Sequence, residues 1–129
     1  MASQMLDVSF QILIVLAIHF VADFLFQTDW MAMNKSHNVK ALASHVAVYV
    51  ITFYAIGIIF FPASQVIIFT FFTWVFHFVT DSVSSKITTK LYKEQRTRAF
   101  FNVIGFDQFL HALQLILCYK FIIINNLVL

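Results

Sequence analysis

The run ALASHVAVYVITFYAIGIIFFPASQVIIFTFFTWVFHFVTD, residues 41–81, decides the fold. It is almost wholly apolar and is interrupted once, at Phe61–Pro62–Ala63–Ser64. A helix rises about 1.5 Å per residue, so about 20 apolar residues cross a hydrocarbon core about 30 Å thick. Each side of Pro62 holds roughly that length. Proline lacks an N–H and suits a helix start, so the run reads as a hairpin of two membrane-crossing helices.

Working outward, two more stretches qualify. The predicted helices cover residues 8–30, 41–61, 64–95 and 106–129, the third continuing past Asp81 as an amphipathic segment. The fold class is therefore all-α: a polytopic membrane protein, a four-helix transmembrane bundle in a single domain, 1–129. Composition agrees. Of 129 residues, 61% are hydrophobic and 11% charged, and mean hydropathy is +0.87. Soluble domains carry about 25% charged residues, so the surplus apolar surface must face lipid. Seventeen phenylalanines suit such a surface, and two glycines with one proline argue against a loop-rich chain. The single cysteine, Cys118, excludes an internal disulfide and reads as inert packing. No basic residue precedes the first apolar stretch, so that stretch is expected to be retained rather than cleaved as a signal peptide.

The cations set an expected orientation. Lys35 and Lys40 lie between the first two helices. Lys86, Lys90, Lys93, Arg96 and Arg98 lie between the last two, in the longest connection, 86–101. The positive-inside rule puts both connections in the cytoplasm and both termini outside it. Lys120 is the exception, with a stem long enough to snorkel. Trp30 and Tyr92 suit an interfacial aromatic belt. The basic segment suits anionic lipid headgroups. It is short and lies at a membrane, which argues against nucleic acid. No phosphate-cradling glycine loop, CxxC pair or nucleophilic serine elbow is present.

The polar residues inside the apolar helices carry the functional reading. Helix one holds His19 and Asp23, helix two His45, helix three His77 and Asp81, and helix four Asp107 and His111. Each His–Asp pair is spaced i, i+4 and so shares one helix face. Helices one and three read His then Asp, whereas helix four, running the other way, reads Asp then His. All three aspartates are therefore expected nearer the cytoplasm at similar depth, with His45 close by. Ionisable groups cost several kcal/mol at the bilayer centre, so they should point inward and find partners.

Imidazole and carboxylate together suit a divalent metal such as Zn, Mn or Fe. Helix bundles also build two-metal centres from inward-facing carboxylates and histidines. His19, Asp23, His77, Asp81, Asp107 and His111 are the candidate ligands. Asp23, His45 and Asp107 are the candidate catalytic groups, as general acid or base. Metal-bound water loses a proton near neutral pH and becomes a nucleophile for ester or phosphoester hydrolysis. Against this stands a plainer reading, in which each pair only hydrogen-bonds and locks helices together. Gln27, Gln108 and Gln114 are candidate supporting groups or ordinary interhelical hydrogen bonders. The stripe Thr70, Thr73, His77, Asp81, Ser84, Ser85, Thr88 lines a cavity or serves simple packing.

The motifs HFVADFLFQTDWMAMNK (residues 19–35), HFVTD (77–81) and DQFLH (107–111), with His45, resemble the bacterial and phage membrane proteins grouped as domain of unknown function 3307. The resemblance covers nearly the whole chain. It implies a four-helix protein of a bacterial inner membrane, or one encoded by a phage, and implies no established activity. A weaker similarity, by analogy only, is to small membrane hydrolases that use intramembrane His and Asp.

Three functions follow as expectations. The first is a membrane-embedded metal-dependent hydrolase acting on an amphipathic substrate from the cytoplasmic side. The second is a small ion or proton conductor or transporter subunit. The third is a structural or phage–host interaction protein. A homo-oligomer would shield the polar centre further from lipid.

Overall fold

A computed structural model of the chain describes residues 7–125. The described residues are mainly helical. α1 spans Val8–Phe20 and runs into a π turn, Val21–Leu25. α2 is short, Asp29–Asn34. α3 spans Val39–Phe60, α4 Ala63–Lys93 and α5 Thr97–Cys118, the last continuing as a π segment, Tyr119–Ile124. Four helical stretches are long and apolar enough to cross a membrane: Val8–Leu25, Val39–Phe60, Ala63–Lys93 and Thr97–Ile124. The chain is a four-helix transmembrane bundle.

Local chemistry sets the boundaries. Asp7 caps α1 by accepting from the Ser9 N–H. Asn38 caps α3 by accepting from the Lys40 and Ala41 N–H groups. Pro62 precedes α4, and the α3–α4 hairpin closes there. The two helices meet closely near this turn: a Cβ added to Gly57 would lie 3.1 Å from Val66 Cγ1. α4 packs against both α3 and α5, and α1 packs against α3 and α5.

Two boundaries differ from those the hydropathy predicts. The first helix does not run unbroken to Trp30. The Thr28 hydroxyl accepts from the Met31 N–H and starts α2, so a helix-cap signal inside QTDW outweighs the continuous apolar reading. The fourth helix begins at Thr97, well before Phe106. The expected long basic connection is a tight turn at Glu94, Gln95 and Arg96, with Gln95 in the left-handed region at φ 55°. With 31 residues, α4 is about 46 Å long, so it outruns a hydrocarbon core of about 30 Å. Its last turns and the first turns of α5 support each other there, with the rings of Tyr92 and Phe100 5.9 Å apart. The basic residues Lys86, Lys90, Lys93 and Arg98 therefore sit on helices.

The surface is that of a lipid-facing bundle. Phe71, Phe72, Trp74, Phe76 and Val79 of α4 are exposed, as are Ile51 and Ile59 of α3 and Phe109 of α5. Inside, the bundle has two zones. Around the Pro62 turn the core is apolar: Val15, Ile18, Phe53, Phe69, Leu115, Tyr119 and Ile122. Toward α2 the interior is filled by His19, Asp23, His45, His77, Asp81 and His111, all buried.

Candidate metal centre

Four segments deliver this polar interior to one place. Asp23 sits in the π turn after α1, where the Phe26 N–H bonds to the Val21 carbonyl, five residues back. A π turn widens the helix locally and re-aims a side chain, a device common at functional sites. Here it lets the Asp23 carboxylate reach α3 and α4. His45 comes from the first turns of α3. His77 and Asp81 stand one turn apart on α4, and Asp107 and His111 one turn apart on α5.

The tightest group is Asp23, His45, His77 and Asp81, whose donor atoms all lie within 4.8 Å of one another. His45 Nε2 is 3.1 Å from Asp23 Oδ1, 3.1 Å from Asp81 Oδ2 and 3.0 Å from His77 Nε2. His77 Nε2 is 3.6 Å from Asp23 Oδ1 and 3.8 Å from Asp81 Oδ2. A tetrahedral ion with bonds of about 2.0–2.1 Å spaces its ligands about 3.3–3.4 Å apart. Those five separations straddle that edge length. Asp23 Oδ1 is buried and has no aligned hydrogen bond. The His45 and His77 Nε2 atoms can share only one proton between them. Two imidazoles and two carboxylates fit a divalent ion such as zinc, and this buried group can hold one.

A second group, Asp81, Asp107 and His111, adjoins the first through the shared Asp81, again with donor atoms within 4.8 Å. His111 Nδ1 donates to the Asp107 backbone carbonyl at 2.8 Å. In a neutral ring this leaves Nε2 as a bare lone pair. It lies 3.3 Å from Asp81 Oδ1 and is buried without a hydrogen bond.

A hydrogen-bonded chain holds the carboxylates. Gln108 Nε2 donates to Asp23 Oδ2 at 3.2 Å and to Asp107 Oδ2 at 3.1 Å. Its Oε1 then faces His19 Nε2 at 2.9 Å, so that nitrogen carries the proton. His19 Nδ1 in turn accepts from the Tyr49 hydroxyl at 2.8 Å. The Tyr49 ring stacks on His77 with centroids 3.8 Å apart. His19, a candidate ligand from its spacing, thus lies outside both donor groups with both ring nitrogens engaged. Its Nε2 is 3.9 Å from Asp23 Oδ2. It orients Gln108, which orients two carboxylates, the kind of support that metal ligands ordinarily require.

Two participants have no counterpart in the reading of the sequence. Lys35, at the C-terminal end of α2, places Nζ 2.7 Å from Asp81 Oδ2. Tyr49 is the other, and its position one turn after His45 was a legible signal. A cavity of about 200 Å³ opens beside the centre, lined by Asp23, Gln27, Lys35, Ser85, Asp107 and Gln108 among others. Asp107 Oδ1, Gln27 Oε1 and Ser85 Oγ in its lining residues have no hydrogen-bond partner. Gln114, by contrast, serves α4–α5 packing by donating to Thr73 Oγ1 and Cys118 Sγ.

Comparison with known proteins places the chain in a family. Residues 11–129 match the family model described as protein of unknown function (DUF3307). The chain belongs to the DUF3307 family. No curated protein and no solved structure matches it. In this DUF3307 protein the donor groups and their supporting side chains all come from the one chain.

Proposed function

We propose that the protein is a membrane-embedded, metal-dependent hydrolase of an amphipathic substrate, entered from the side that carries the basic helix ends. The observation that carries this reading is the close grouping of donor atoms from Asp23, His45, His77 and Asp81 beside a polar cavity. Zinc, manganese or iron in that group would supply Lewis acidity and turn a water molecule into a nucleophile near neutral pH.

The chain's own residues divide the remaining work. Asp23, His45, His77 and Asp81 hold the ion, and Gln108 and His19 fix the carboxylates. Asp107 lines the cavity and keeps one carboxylate oxygen without a partner. It takes the proton released as the water oxygen bonds to the acyl carbon or phosphorus, and returns it to the departing alcohol oxygen. Lys35 offers its ammonium group to an anionic substrate oxygen. An apolar tail would stay in the lipid against Phe24, which is exposed and lines the same cavity.

The asymmetry of the bundle favours a one-sided site over a conduit. A proton or ion path would have to continue through the zone of Val15, Ile18, Phe53 and Phe69, whose enclosed space is small and apolar. The proposed setting is a bacterial inner membrane with the basic ends in the cytoplasm and both termini outside. Anionic headgroups would gather at Lys86, Lys90, Lys93, Arg96 and Arg98. A homo-oligomer is not needed to complete the site, since all its donors come from one chain.

The test is turnover by the purified chain in vesicles, using an alkyl p-nitrophenyl phosphate and a p-nitrophenyl alkanoate. Release of p-nitrophenolate should require added zinc or manganese and fall at least about 100-fold in Asp107→Asn, within the range for loss of a general base. No release from ion-loaded wild type would contradict the proposal.

A further inference from the structure

We infer that the centre takes a second divalent cation at Asp81, Asp107 and His111, and that this ion enters together with a phosphate-class anion. The inference rests on the ion-binding reading above and adds the substrate class.

His111 is 2% exposed, and its Nδ1–H is committed to the Asp107 carbonyl. A backbone carbonyl on one ring nitrogen is the usual means of aiming the other at a metal. That other nitrogen, Nε2, faces Asp81 Oδ1 at 3.3 Å and is buried without an aligned hydrogen bond. With a neutral ring, two lone pairs face each other in a buried site, an arrangement that a cation shared by both would relieve. The two oxygens of Asp81 also divide cleanly. Oδ2 faces His45 and the resident group, and Oδ1 faces His111. This is the disposition of a carboxylate that bridges two ions.

Charge points the same way. Metal ligation requires ionised carboxylates and neutral imidazoles. Asp23, Asp81 and Asp107 then carry three negative charges, and Lys35 returns one positive. One divalent ion makes the interior neutral. A second ion by itself would leave two uncompensated positive charges in a low-dielectric setting, which is costly. A phosphate monoester carries about −1.5 to −2 near neutral pH and restores neutrality. The cavity beside Asp107 has room for such a group, with Lys35 and Ser85 in its wall. Asp107, whose donor atom lies within 4.8 Å of those of Asp81 and His111, then serves the ion through one carboxylate oxygen and keeps the other for the proton.

The experiment is manganese titration of the purified full chain in nanodiscs, read by bound-ion stoichiometry and by electron paramagnetic resonance. One Mn²⁺ per chain should bind without anion. Inorganic phosphate should raise this to two and produce an exchange-coupled pair signal. Asp107→Asn and His111→Gln should keep the first ion and weaken the phosphate-dependent one at least about tenfold. Retention of the first ion reports that each variant is folded. A long-chain alkyl phosphate that acts at lower concentration than inorganic phosphate identifies an amphiphile as the source of the anion; equal potency identifies a free anion.

Two ions without phosphate, or one ion with saturating phosphate, would overturn this inference and leave the proposed function standing. Loss of the first ion in both variants would put Asp107 and His111 in the resident site and overturn it as well. No bound ion under any condition would overturn both.

Discussion

α4 passes through two different interiors. In its first half Val66 and Phe69 pack against Gly57 and Phe53, and the Thr70 hydroxyl satisfies itself on the Val66 carbonyl at 2.6 Å. In its second half His77, Asp81 and Ser85 are just as buried, yet the surrounding zone contains unpartnered atoms on Asp23, Ser85, Asp107 and His111. The same helix meets a mainly apolar interior at one end and, at the other, a polar one in which unpartnered carboxylate, imidazole and hydroxyl atoms gather. Buried polar groups in folded proteins are nearly always satisfied, so a cluster of unsatisfied ones asks for water, an ion or a ligand. A purely structural set of His–Asp pairs would show each imidazole bonded to the carboxylate one turn away. Instead the short contacts run between helices, from His45 to Asp23 and from His45 to Asp81.

Exchanging single residues in the two zones should separate stability from ion binding. The largest effect is expected for Asp81→Asn, which touches both donor groups and Lys35. Divalent-ion affinity should fall more than about 100-fold, beyond what loss of a supporting residue causes. Calorimetric titration with zinc checks this, and unchanged affinity would remove Asp81 from the site. Gln108→Leu should act less strongly. It removes the donor shared by Asp23 and Asp107, and should weaken ion binding about 10–100-fold while the bundle stays folded. Gly57→Ala reverses the pattern. Its new methyl group crowds Val66, so the unfolding free energy should drop by about 1–3 kcal/mol with ion affinity unchanged. Denaturation in detergent with and without zinc distinguishes the two. The smallest effect is expected at Gln95→Gly, which relieves a left-handed non-glycine residue and should stabilise the α4–α5 turn by about 1 kcal/mol.

Much of this was legible in the sequence. Hydropathy and Pro62 place the four spans, because a membrane demands long apolar runs and little else imitates them. The reversed order of Asp107 and His111 relative to His19 and Asp23 reveals that the polar residues gather at one depth. What helix spacing could not supply was which pairs meet. An i, i+4 pattern shows that His19 and Asp23 share a face, but the π turn at Val21–Leu25 directs Asp23 toward α3 and α4 and leaves His19 to Gln108 and Tyr49. The pairing of Lys35 with Asp81 was illegible for a related reason. A continuous first helix to Trp30 would have carried Lys35 away from Asp81, whereas the Thr28 cap and short α2 bring it back. The ends of α4 and α5 extend beyond the apolar limits because each supports the other, which composition does not record.

The central claim is that Asp23, His45, His77 and Asp81 hold a divalent ion, and elemental analysis of the detergent-purified chain in chelator-free buffer tests it most directly. The account predicts at least one zinc, manganese or iron per chain in the wild type, and background levels in a His45→Ala, His77→Ala double variant that remains folded. Wild-type protein at background after incubation with each of these ions would contradict it.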